Sequence, residues 1–409
     1  MNKFLKEFKD RGFFYQCTSE DDLSKLLDKK KINGYIGFDC TAESLHVGSL
    51  LQIMCLRLLQ KHGHRPIVLL GGGTTRIGDP SGKDKTRTIL SEKVIEKNIN
   101  NIEKILQNFL KTKDPKTKPI FVNNYSWLKG LNYISFLRDI GKHFTINKML
   151  SFDSVKTRLE REQSLSYMEF NYMILQAYDF LELNKKKNCS LQIGGSDQWG
   201  NIINGVELIK RYSNKHVYGL TTPLITVASG AKMGKTESGA IWLDKKFLSA
   251  YEYWQFWRNT DDRDVVKFLK IFTDLETNEI DNLKNNNINE LKALLANKAT
   301  TMLHGKKASQ NSEQAAKEAF SGNSLGANLP SMKIKFKNFD KQMGIIDLII
   351  LSKLESSKSE IRRLIKGNAI KINDELIDDE RSIIKSELFD KNYLKLSIGK
   401  KRHIKIELI

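Results

Sequence analysis

YIGFDCTAESLHVGSLLQIMCLRLLQKHGHRPIVLLG, residues 35–71, is the stretch that decides the fold of this chain. Its pattern predicts a strand over 35–39, a helix over 47–61 and an apolar, buried strand over 66–71. A helix that connects two such strands is typical of a βαβ unit, in which the strands lie parallel. We therefore expect an α/β fold.

Strands and helices continue to alternate up to about residue 228. The next predicted elements are a helix over 91–112, a strand over 120–124, a helix over 166–183, a strand over 189–194, a helix that opens near Asp197 and a last strand over 219–226. This alternation predicts a doubly wound parallel sheet, and we assign residues 1–228 to the domain that contains it.

The rest of the chain has a different pattern. Helical periodicity dominates from about 245 to 320, over 248–259, 263–273 and 288–304, so that 229–322 is predicted to form a loop and an all-helical domain. Residues 323–344 are rich in glycine, serine and asparagine and indicate a linker with room for one strand. Residues 345–409 predict a small α+β domain of two helices followed by short strands.

The composition is strongly basic. The 409 residues include 67 lysines and arginines against 48 aspartates and glutamates, a formal net charge of +19 at pH 7. Such a field favours a polyanionic partner, such as a nucleic acid or a phosphate-bearing substrate, although solvated lysines in a biased composition would give the same total. The total charge does not distinguish these two interpretations, so the positions of the charged residues must decide between them.

Features of metal, disulfide and membrane proteins are not found in the sequence. The four cysteines form no CxxC pair and the seven histidines no metal-binding pattern, so we expect reduced thiols, a cytoplasmic location and no protein-held metal. No apolar run of about 18 residues occurs that could span a membrane. The first residues, MNKFLKEFKDRGFF, predict an amphipathic helix rather than a signal peptide.

Two short motifs could bind phosphate. His46 and Gly48 lie where the first strand gives way to a helix, a position at which glycine lets a ligand approach the backbone and the helix N-terminus favours an anion. Lys232 and Lys235 lie in a glycine-bearing loop after the last predicted strand, where their charges could neutralise a polyphosphate. Alone, the first motif could be an ordinary turn and the second a solvated surface loop.

Neither of two common nucleotide motifs explains the sequence. GDPSGKD, residues 78–84, has three residues between its glycines, whereas a Walker A loop needs four and then a serine or threonine after the lysine. No GxGxxG fingerprint follows the strand at 66–71. The two phosphate motifs therefore have to be interpreted together.

The pair His46-Val-Gly-Ser49 and Lys232-Met-Gly-Lys235-Thr236 resembles the two signatures of class I aminoacyl-tRNA synthetases. With YIGFDCTAESLHVGSL, GGTTRIGDPSGK, YMILQAYDF, IGGSDQWGNI and GAKMGKTESG, the likeness narrows to the bacterial-type tyrosyl-tRNA synthetases and covers essentially the whole chain. The resemblance implies a Rossmann-like catalytic domain, an all-helical domain and a C-terminal S4-type RNA-binding domain, in a homodimer.

The resemblance also implies a two-step reaction. The carboxylate of L-tyrosine attacks the α-phosphate of ATP to give tyrosyl-adenylate and pyrophosphate, and the adenylate then acylates the 3'-terminal ribose of tRNA(Tyr). Both nucleophiles belong to substrates, so the protein contributes placement and stabilisation of phosphate charge. We expect Mg²⁺ to be bound through the ATP phosphates.

For tyrosine, the resemblance implies binding through Tyr35, Asp79, Tyr172, Gln176, Asp179 and Gln198. Tyr35 and Asp179 would meet the phenol hydroxyl. Phenylalanine lacks this hydroxyl and would leave both protein groups unpaired. Tyr172, Gln176 and Asp179 are spaced by four and three residues and so share one helix face.

For ATP and the adenylate, the resemblance implies contacts from Gly37, Asp39, Gly48, Ser49, Gly195, Asp197 and Met233. The side chains expected to act on the phosphates are those of Thr41, His46, Lys83, Arg87, Lys232, Lys235 and Thr236. Ser49 departs from the family pattern, which more often has a second histidine there. Thr236 likewise replaces the last serine of the lysine-bearing signature.

The C-terminal stretch SSKSEIRRLIKGNAIKINDE, residues 356–375, resembles an S4-type RNA-binding domain. The resemblance implies RNA contacts from Ser359, Arg362, Arg363 and Lys366 on one helix and from Lys371 on the next strand. Basic side chains at this spacing can follow an RNA backbone.

Two other functions are compatible with parts of this pattern. An RNA-binding protein that has lost catalysis would need neither His46 nor the two lysines of the second signature. A synthetase for tryptophan or another amino acid is the second alternative. An indole pocket has no phenol to satisfy, so the pair Tyr35 and Asp179 favours tyrosine.

Overall fold

The computed structural model describes most of the chain. The described residues are 2–79, 90–236, 239–321, 331–334, 343–390, 392–399 and 402–408, with the backbone alone for 153, 154, 235, 236 and 319–321. They divide into two compact units, Met1–Asp244 with Asp261–Ile288, and Lys245–Thr260 with Asn289–Ile409. The domain boundaries expected from the sequence divide the chain differently and stay a prediction.

The first unit is built on a six-stranded sheet in the order β1-β6-β5-β2-β3-β4. Its strands are β1 (Gln16–Cys17), β2 (Asn33–Phe38), β3 (Arg65–Leu70), β4 (Ile120–Asn123), β5 (Cys189–Gly195) and β6 (Tyr218–Thr222). All neighbours pair in parallel except β1, which runs antiparallel to β6. A two-stranded ribbon, β7 (Lys235–Thr236) and β8 (Gly239–Ala240), follows.

The helices of this unit connect and cover the strands. They are α1 (Lys3–Asp10), α2 (Glu20–Lys29), α3 (Leu50–Lys61), α4 (Glu92–Phe109), α5 (Tyr125–Leu128), α6 (Tyr133–Asp139), α7 (Ile146–Leu150), α8 (Asp153–Glu160), α9 (Tyr167–Lys187), α10 (Trp199–Ser213), then, after α11 of the other unit, α12 (Asp262–Phe272) and α13 (Thr277–Leu283). Helix α3 buries eight of its twelve residues, which explains its nearly continuous apolar sequence.

The order of the strands creates the site. After β2 the chain forms β3 and β4 on one side of β2, and it then returns to form β5 and β6 on the other side. The connections therefore leave β2 and β5 in opposite directions, which opens a crevice at the carboxyl ends of these two strands. Ligands of doubly wound sheets bind at such a point.

The predicted α/β fold is confirmed, and the differences are local. The two-residue antiparallel strand β1 was not predicted, because two residues carry no periodic signal. The helix predicted from residue 47 begins with a 3-10 turn, Val47–Ser49, before α3. The strand predicted over 219–226 ends at Thr222, since Ile225 and Val227 pair instead with residues of the following loop.

The second unit contains helices and a separate sheet. Its helices are α11 (Ala250–Arg258), α14 (Ile288–His304), α15 (Lys306–Ser321), α16 (Ile345–Leu351) and α17 (Lys358–Lys366). The sheet has the order β11-β10-β12-β13-β9, from β9 (Ser331–Ile334), β10 (Ile370–Ile372), β11 (Glu375–Leu376), β12 (Tyr393–Ile398) and β13 (Arg402–Leu408). Ile345 of α16, Ile361 of α17 and Leu394 of β12 share its apolar core.

The predicted helical region and C-terminal α+β region are thus both present. Residues 331–334, placed in the linker by the sequence, form β9 and pair in parallel with β13. Throughout the described residues, no helix is both long and apolar enough to cross a membrane.

Candidate active site

A cavity of about 340 Å³ opens at the carboxyl ends of β2 and β5. Twelve residues expected to bind tyrosine or ATP line it: Tyr35, Gly37, Asp39, Gly48, Ser49, Asp79, Tyr172, Gln176, Asp179, Gly195, Asp197 and Gln198. They come from β2, β5 and the residues directly after them, from the turn that begins α3, from the segment after β3 and from one face of α9. The structure therefore brings together residues that are far apart in the sequence.

Asp179 lies at the buried end of this cavity, with 2% of its surface exposed. Its Oδ2 accepts a 2.9 Å hydrogen bond from Nδ2 of Asn124, and its Oδ1 accepts a 2.7 Å bond from Nε1 of Trp127. Burial raises the pKa of Asp179 to about 7, against the opposing effect of these two donors. The carboxyl group is thus fixed in direction and changes its charge near neutral pH.

Tyr35 lies beside Asp179 and is almost fully buried. Its ring packs 5.2 Å from the ring of Phe180, measured between centroids, and its hydroxyl finds no hydrogen-bond partner among the described residues. Burial and the nearby Asp179 raise the pKa of Tyr35 well above its usual value, so the hydroxyl keeps its proton. A buried hydroxyl without a partner is costly, which suggests that a ligand completes it.

Nearer the mouth of the cavity, two carboxylates are held by neutral side chains. The hydroxyl of Tyr172 donates to Oδ2 of Asp39 at 3.1 Å, and that of Thr74 donates to Oδ1 at 2.9 Å. Nε2 of Gln198 donates to Oδ2 of Asp79 at 2.9 Å. These carboxylates give this part of the cavity a negative potential suited to an ammonium group.

An amide network continues from Gln198. Nδ2 of Asn201 donates to Oε1 of Gln176 at 3.0 Å and to Oε1 of Gln198 at 3.2 Å. Because Asn201 donates to Oε1 of both glutamines, their Nε2 atoms are the ends that donate to other groups. The network orients the two predicted glutamines towards the same side of the cavity.

Asp197 follows β5 at the other wall of the cavity. Burial and the neighbouring Asp79 raise the pKa of Asp197, while Gln198 and Lys232 lower it. The effect of Lys232 shows that the second signature lies within electrostatic reach of the cavity. A Cβ on Gly195 would lie 2.4 Å from Oδ1 of Asp197, so any larger residue there would displace the carboxylate of Asp197.

The two phosphate motifs lie against each other. The amide of Val47 donates to the carbonyl of Ile241 at 2.9 Å, the amide of Leu243 donates to the carbonyl of Leu45 at 2.9 Å, and the amide of Asp244 donates to Oγ of Ser44 at 3.1 Å. The segment after the lysine-bearing loop is therefore paired, as in a small sheet, with the segment that holds His46.

Glycine is required where these motifs touch. A Cβ on Gly48 would lie 3.0 Å from the carbonyl oxygen of Met233 and 2.6 Å from Cε1 of His46. Gly234 has a φ of +99°, and a Cβ there would lie 2.8 Å from the amide nitrogen of Gly48. Gly234 thus combines a left-handed backbone with close approach, whereas Gly48 is required by the close approach alone.

His46 is oriented by its own turn. Its Nδ1 accepts a 3.0 Å hydrogen bond from the amide of Gly48, so the neutral ring carries its proton on Nε2. Ser49 lines the cavity, and its amide donates to the carbonyl of His46. The ring can thus offer Nε2 as a donor at the first turn of the helical segment.

The remaining residues expected to contact phosphate lie at different positions. Lys232 is exposed, Met233 is buried, and the backbone of Lys235 and Thr236 forms β7. Thr41 is exposed and follows Cys40, whose carbonyl accepts a 2.9 Å bond from Nδ2 of Asn98. Lys83 and Arg87 lie outside the described residues.

In the second unit, the five residues expected to bind RNA are all exposed. They are Ser359, Arg362, Arg363, Lys366 and Lys371, on α17 and β10. Ile361 and Ile365 of the same helix are buried in the apolar core, so the polar face of α17 is turned away from that core.

Sequence reasoning missed Asn124, Trp127 and Asn201. The first two follow β4, at the same carboxyl edge of the sheet as the cavity, and this position was the one signal that could have indicated them.

Within the described residues, no group of three or more histidine, cysteine, aspartate or glutamate side chains is arranged to hold a metal ion.

Two family models match successive parts of the chain. The model described as "tRNA synthetases class I (W and Y)" matches residues 27–321, and "Tyrosine--tRNA ligase SYY-like C-terminal domain" matches residues 323–406. The tyrosine–tRNA ligase of Pelagibacter ubique is 79% identical over 409 residues, 100% of both chains. This chain belongs to the bacterial-type tyrosyl-tRNA synthetases of class I.

Other tyrosyl-tRNA synthetases support this assignment. The tyrosine–tRNA ligase of Rickettsia massiliae is 50% identical over 410 residues, covering 99% of this chain and 100% of its own. The structure of a C-terminally truncated mitochondrial tyrosyl-tRNA synthetase from Aspergillus nidulans superposes with a TM-score of 0.70 at 30% identity, covering 77% of this chain and 93% of its own.

The activity is therefore that of the tyrosyl-tRNA synthetase family, the ATP-dependent ligation of tyrosine to tRNA. The first model covers the enzymes for both tryptophan and tyrosine, but the second model and the relatives name tyrosine alone. This excludes the alternatives of a tryptophan enzyme and of an RNA-binding protein without catalytic activity.

Proposed function

We propose that the cavity selects tyrosine by its hydroxyl group, which reaches Asp179 and Tyr35. The observation that carries this proposal is the hydrogen bonding of Asp179 and Tyr35 at the buried end of the cavity. Asn124 and Trp127 already donate to both oxygens of Asp179, while the hydroxyl of Tyr35 lacks a partner among the described residues. A phenol hydroxyl can donate to the carboxylate and accept from Tyr35, whereas phenylalanine can do neither.

The substrate ammonium group binds near the mouth, between Asp79, Tyr172 and Gln176. Asp79 supplies the negative charge, and Gln198 and Asn201 hold Asp79 and Gln176 in place. With both ends of tyrosine fixed, its carboxylate points to the wall formed by Asp39, Asp197 and Gln198, where Gly37 and Gly195 leave room for the ribose and α-phosphate of ATP. This alignment makes the attack effectively intramolecular.

The phosphates of ATP extend towards the contact between the two signatures. The tyrosine carboxylate oxygen forms a bond to the α-phosphorus as the bond to pyrophosphate breaks, and negative charge develops on the departing group. Nε2 of His46, together with Lys232, stabilises this charge. We assign the same task to Thr41, Lys235 and Thr236 and, outside the described residues, to Lys83 and Arg87. Met233 is assigned to the binding of ATP and the adenylate.

Two features of the phosphate site complete the proposal. Ser49 and Gly48 approach the ribose and phosphates from the start of the helical segment, with the serine hydroxyl in place of an imidazole. Mg²⁺ binds through the oxygens of ATP, in keeping with its preference for phosphate and water ligands.

The second unit binds tRNA(Tyr) through an S4-type surface made of Ser359, Arg362, Arg363, Lys366 and Lys371. These residues are exposed on α17 and the adjoining strand, and the side chain of Arg363 is 82% exposed. Phosphate contacts from this surface hold the tRNA while its 3'-terminal ribose attacks the adenylate and releases AMP.

A homodimer is proposed from an apolar surface on the first unit, which we call the 133–167 face. Its large, exposed apolar side chains are Tyr133, Ile134, Leu137, Ile146, Leu150, Leu159 and Tyr167. Such a concentration within one segment is costly in water and fits a second copy of the chain.

A cytoplasmic location is proposed from the four unpaired cysteines, Cys17, Cys40, Cys55 and Cys189.

The proposal is tested by ATP–pyrophosphate exchange that depends on the amino acid. Tyrosine should support exchange in the native chain, and phenylalanine and tryptophan should not. Asp179→Ala should abolish the exchange, while Glu182→Ala, one turn further along α9 and outside the cavity, should not. Unchanged exchange in folded Asp179→Ala would refute the assigned role.

A further inference from the structure

The lysine-bearing signature begins in a small hairpin, residues 225–233, which we call the phosphate hairpin. Its first arm, 225–227, pairs with its second arm, 231–233, through hydrogen bonds from the amide of Met233 to the carbonyl of Ile225 and from the amide of Val227 to the carbonyl of Ala231, both 3.0 Å. The turn contains Gly230, whose φ is +83°. The second arm carries Lys232 and contacts the turn of His46.

The first arm and its turn are bonded to α12. Oδ2 of Asp264 accepts a 2.6 Å hydrogen bond from the amide of Ala228, and Nζ of Lys267 donates a 3.0 Å bond to the carbonyl of Thr226. Asp264 is 5% exposed, and its Oδ1 lies 3.8 Å from Nζ of Lys267. A buried carboxylate that accepts from a backbone amide forms one of the stronger hydrogen bonds in proteins.

Helix α12 is itself fixed at its other end. The guanidinium group of Arg11, at the end of α1, donates to the carbonyls of Lys270, Thr273 and Leu275 at 2.8–3.0 Å. Nε of Arg11 donates to Glu7 at 2.7 Å, and the side chain of Arg11 is 4% exposed. The support of the hairpin is therefore continuous from α1 through α12 to Asp264.

The hairpin needs such a support because a two-stranded hairpin is only marginally stable by itself. We propose that Asp264 is a positioning residue for tyrosine activation, which fixes the turn of the phosphate hairpin at Ala228 so that Lys232 on the second arm faces the departing pyrophosphate. Lys267 assists by holding the carbonyl of Thr226. The inference rests on the proposed role of Lys232 and extends it to a residue that lines no part of the cavity.

The first experiment compares variants by the steady-state kinetics of pyrophosphate exchange. Asp264→Ala should lower kcat by about tenfold to a hundredfold, the range expected for a lost hydrogen bond to a charged group, and leave the KM for tyrosine within about twofold. Asp264→Asn keeps an oxygen that can accept from the amide of Ala228 and should retain most of the activity. Asp262→Ala, which removes an exposed acid from the same helical turn, is the matched control.

The second experiment asks whether Asp264 acts through Lys232. In a Lys232→Ala background, Asp264→Ala should lower kcat by less than about twofold further, because residues that act as a unit are strongly non-additive. A merely structural role would give the same factor in both backgrounds. Equal factors, or an Asp264→Asn variant as impaired as Asp264→Ala, would overturn the inference.

A folding control and a separate readout complete the design. Circular dichroism confirms that each variant is folded at the assay temperature. If Asp264→Ala does not fold, Lys267→Met, which alters an exposed side chain, takes its place in the double-mutant cycle, with an expected loss of about threefold to tenfold. If Lys232→Ala alone is fully active, the proposed function fails at that residue; if it is impaired and the cycle is additive, only the role of Asp264 fails.

Discussion

Trp127 donates a 2.7 Å hydrogen bond from its indole Nε1 to Oδ1 of Asp179 at the buried end of the cavity. The bond keeps the carboxyl group in one orientation and lowers its pKa against the effect of burial. A residue that the sequence motifs do not indicate therefore contributes to both the direction and the charge of the group that we propose to recognise the substrate hydroxyl.

Replacing Trp127 by phenylalanine should weaken this recognition. Trp127→Phe keeps an aromatic ring but removes the donor, so we expect the KM for tyrosine to rise by about tenfold and the preference for tyrosine over phenylalanine to fall. Pyrophosphate exchange with each amino acid measures both effects. Trp199→Phe, at the start of α10 and outside the cavity lining, is the control. An unchanged preference would show that the indole hydrogen bond has no part in selection.

The affinity for tyrosine should depend on pH through Asp179. Burial raises its pKa from 3.8 to about 7, so the ionised fraction rises from about a tenth at pH 6 to about nine-tenths at pH 8. Because the ionised form accepts the phenol proton, tyrosine should bind more tightly at pH 8 than at pH 6. Equilibrium dialysis with labelled tyrosine measures the change, and Asp179→Asn should not show it.

The same shift has a consequence for stability with a definite sign. A carboxyl group whose pKa is raised in the folded state contributes stability below its unfolded value, and loses it as the pH rises through about 7. The free energy of unfolding of the native chain should therefore fall, relative to that of Asp179→Asn, between pH 5 and pH 8. A difference that is constant with pH would contradict the raised pKa.

Gly48 should not tolerate a methyl group. In Gly48→Ala the new Cβ would press on the carbonyl of Met233 and on the ring of His46, so the two signatures must separate. We expect kcat for activation to fall by at least about tenfold while tyrosine binding persists, because the clash lies at the phosphate end. Gly130→Ala, which places its Cβ in open space, is the control in the same kinetic assay.

The 133–167 face should be needed for dimerisation. Ile134 is 70% exposed, so Ile134→Glu should leave the isolated fold intact and raise the dissociation constant of the dimer by at least about tenfold. Analytical ultracentrifugation measures the change. Val94→Glu, on the exposed side of α4, is a control of the same chemistry outside the face. A monomeric native chain would refute the proposed homodimer.

The exposed face of α17 should separate the two steps of the reaction. The double substitution Arg362→Glu, Arg363→Glu reverses two charges, so tRNA charging should fall by at least about tenfold while tyrosine-dependent pyrophosphate exchange is unchanged. Lys385→Glu, an exposed charge reversal in the same region of the chain, should have a much smaller effect. If the double variant charged tRNA as well as the native chain does, the assignment of this surface would be contradicted.

The parts of the fold that could be predicted from the sequence are those in which apolar residues recur regularly over a long element, or in which two motifs occur together. The βαβ unit from β2 to β3 was predictable because α3 and both strands are nearly all buried. Tyr172, Gln176 and Asp179 could be placed on one face because α9 is a continuous helix.

The remainder depends on contacts that sequence spacing does not encode. Asn124 and Trp127 lie in and beside a four-residue helix, which is too short to show a period, and they meet Asp179 only when α9 packs against the sheet. Asp264 was assigned to a helical domain by its periodicity, but its hydrogen bond to Ala228 requires the tertiary fold.

The pairing of residues 44–47 with 241–244 also governs when the enzyme can become active during its synthesis. Asp244 and Ser44, joined by a hydrogen bond, are 200 residues apart in the chain. At about 5–20 residues per second, a ribosome needs about 10–40 s to add the residues between them. A nascent chain can fold its first strands and form the turn of His46 early. Until residues 241–244 have emerged, however, this turn lacks the segment with which it pairs.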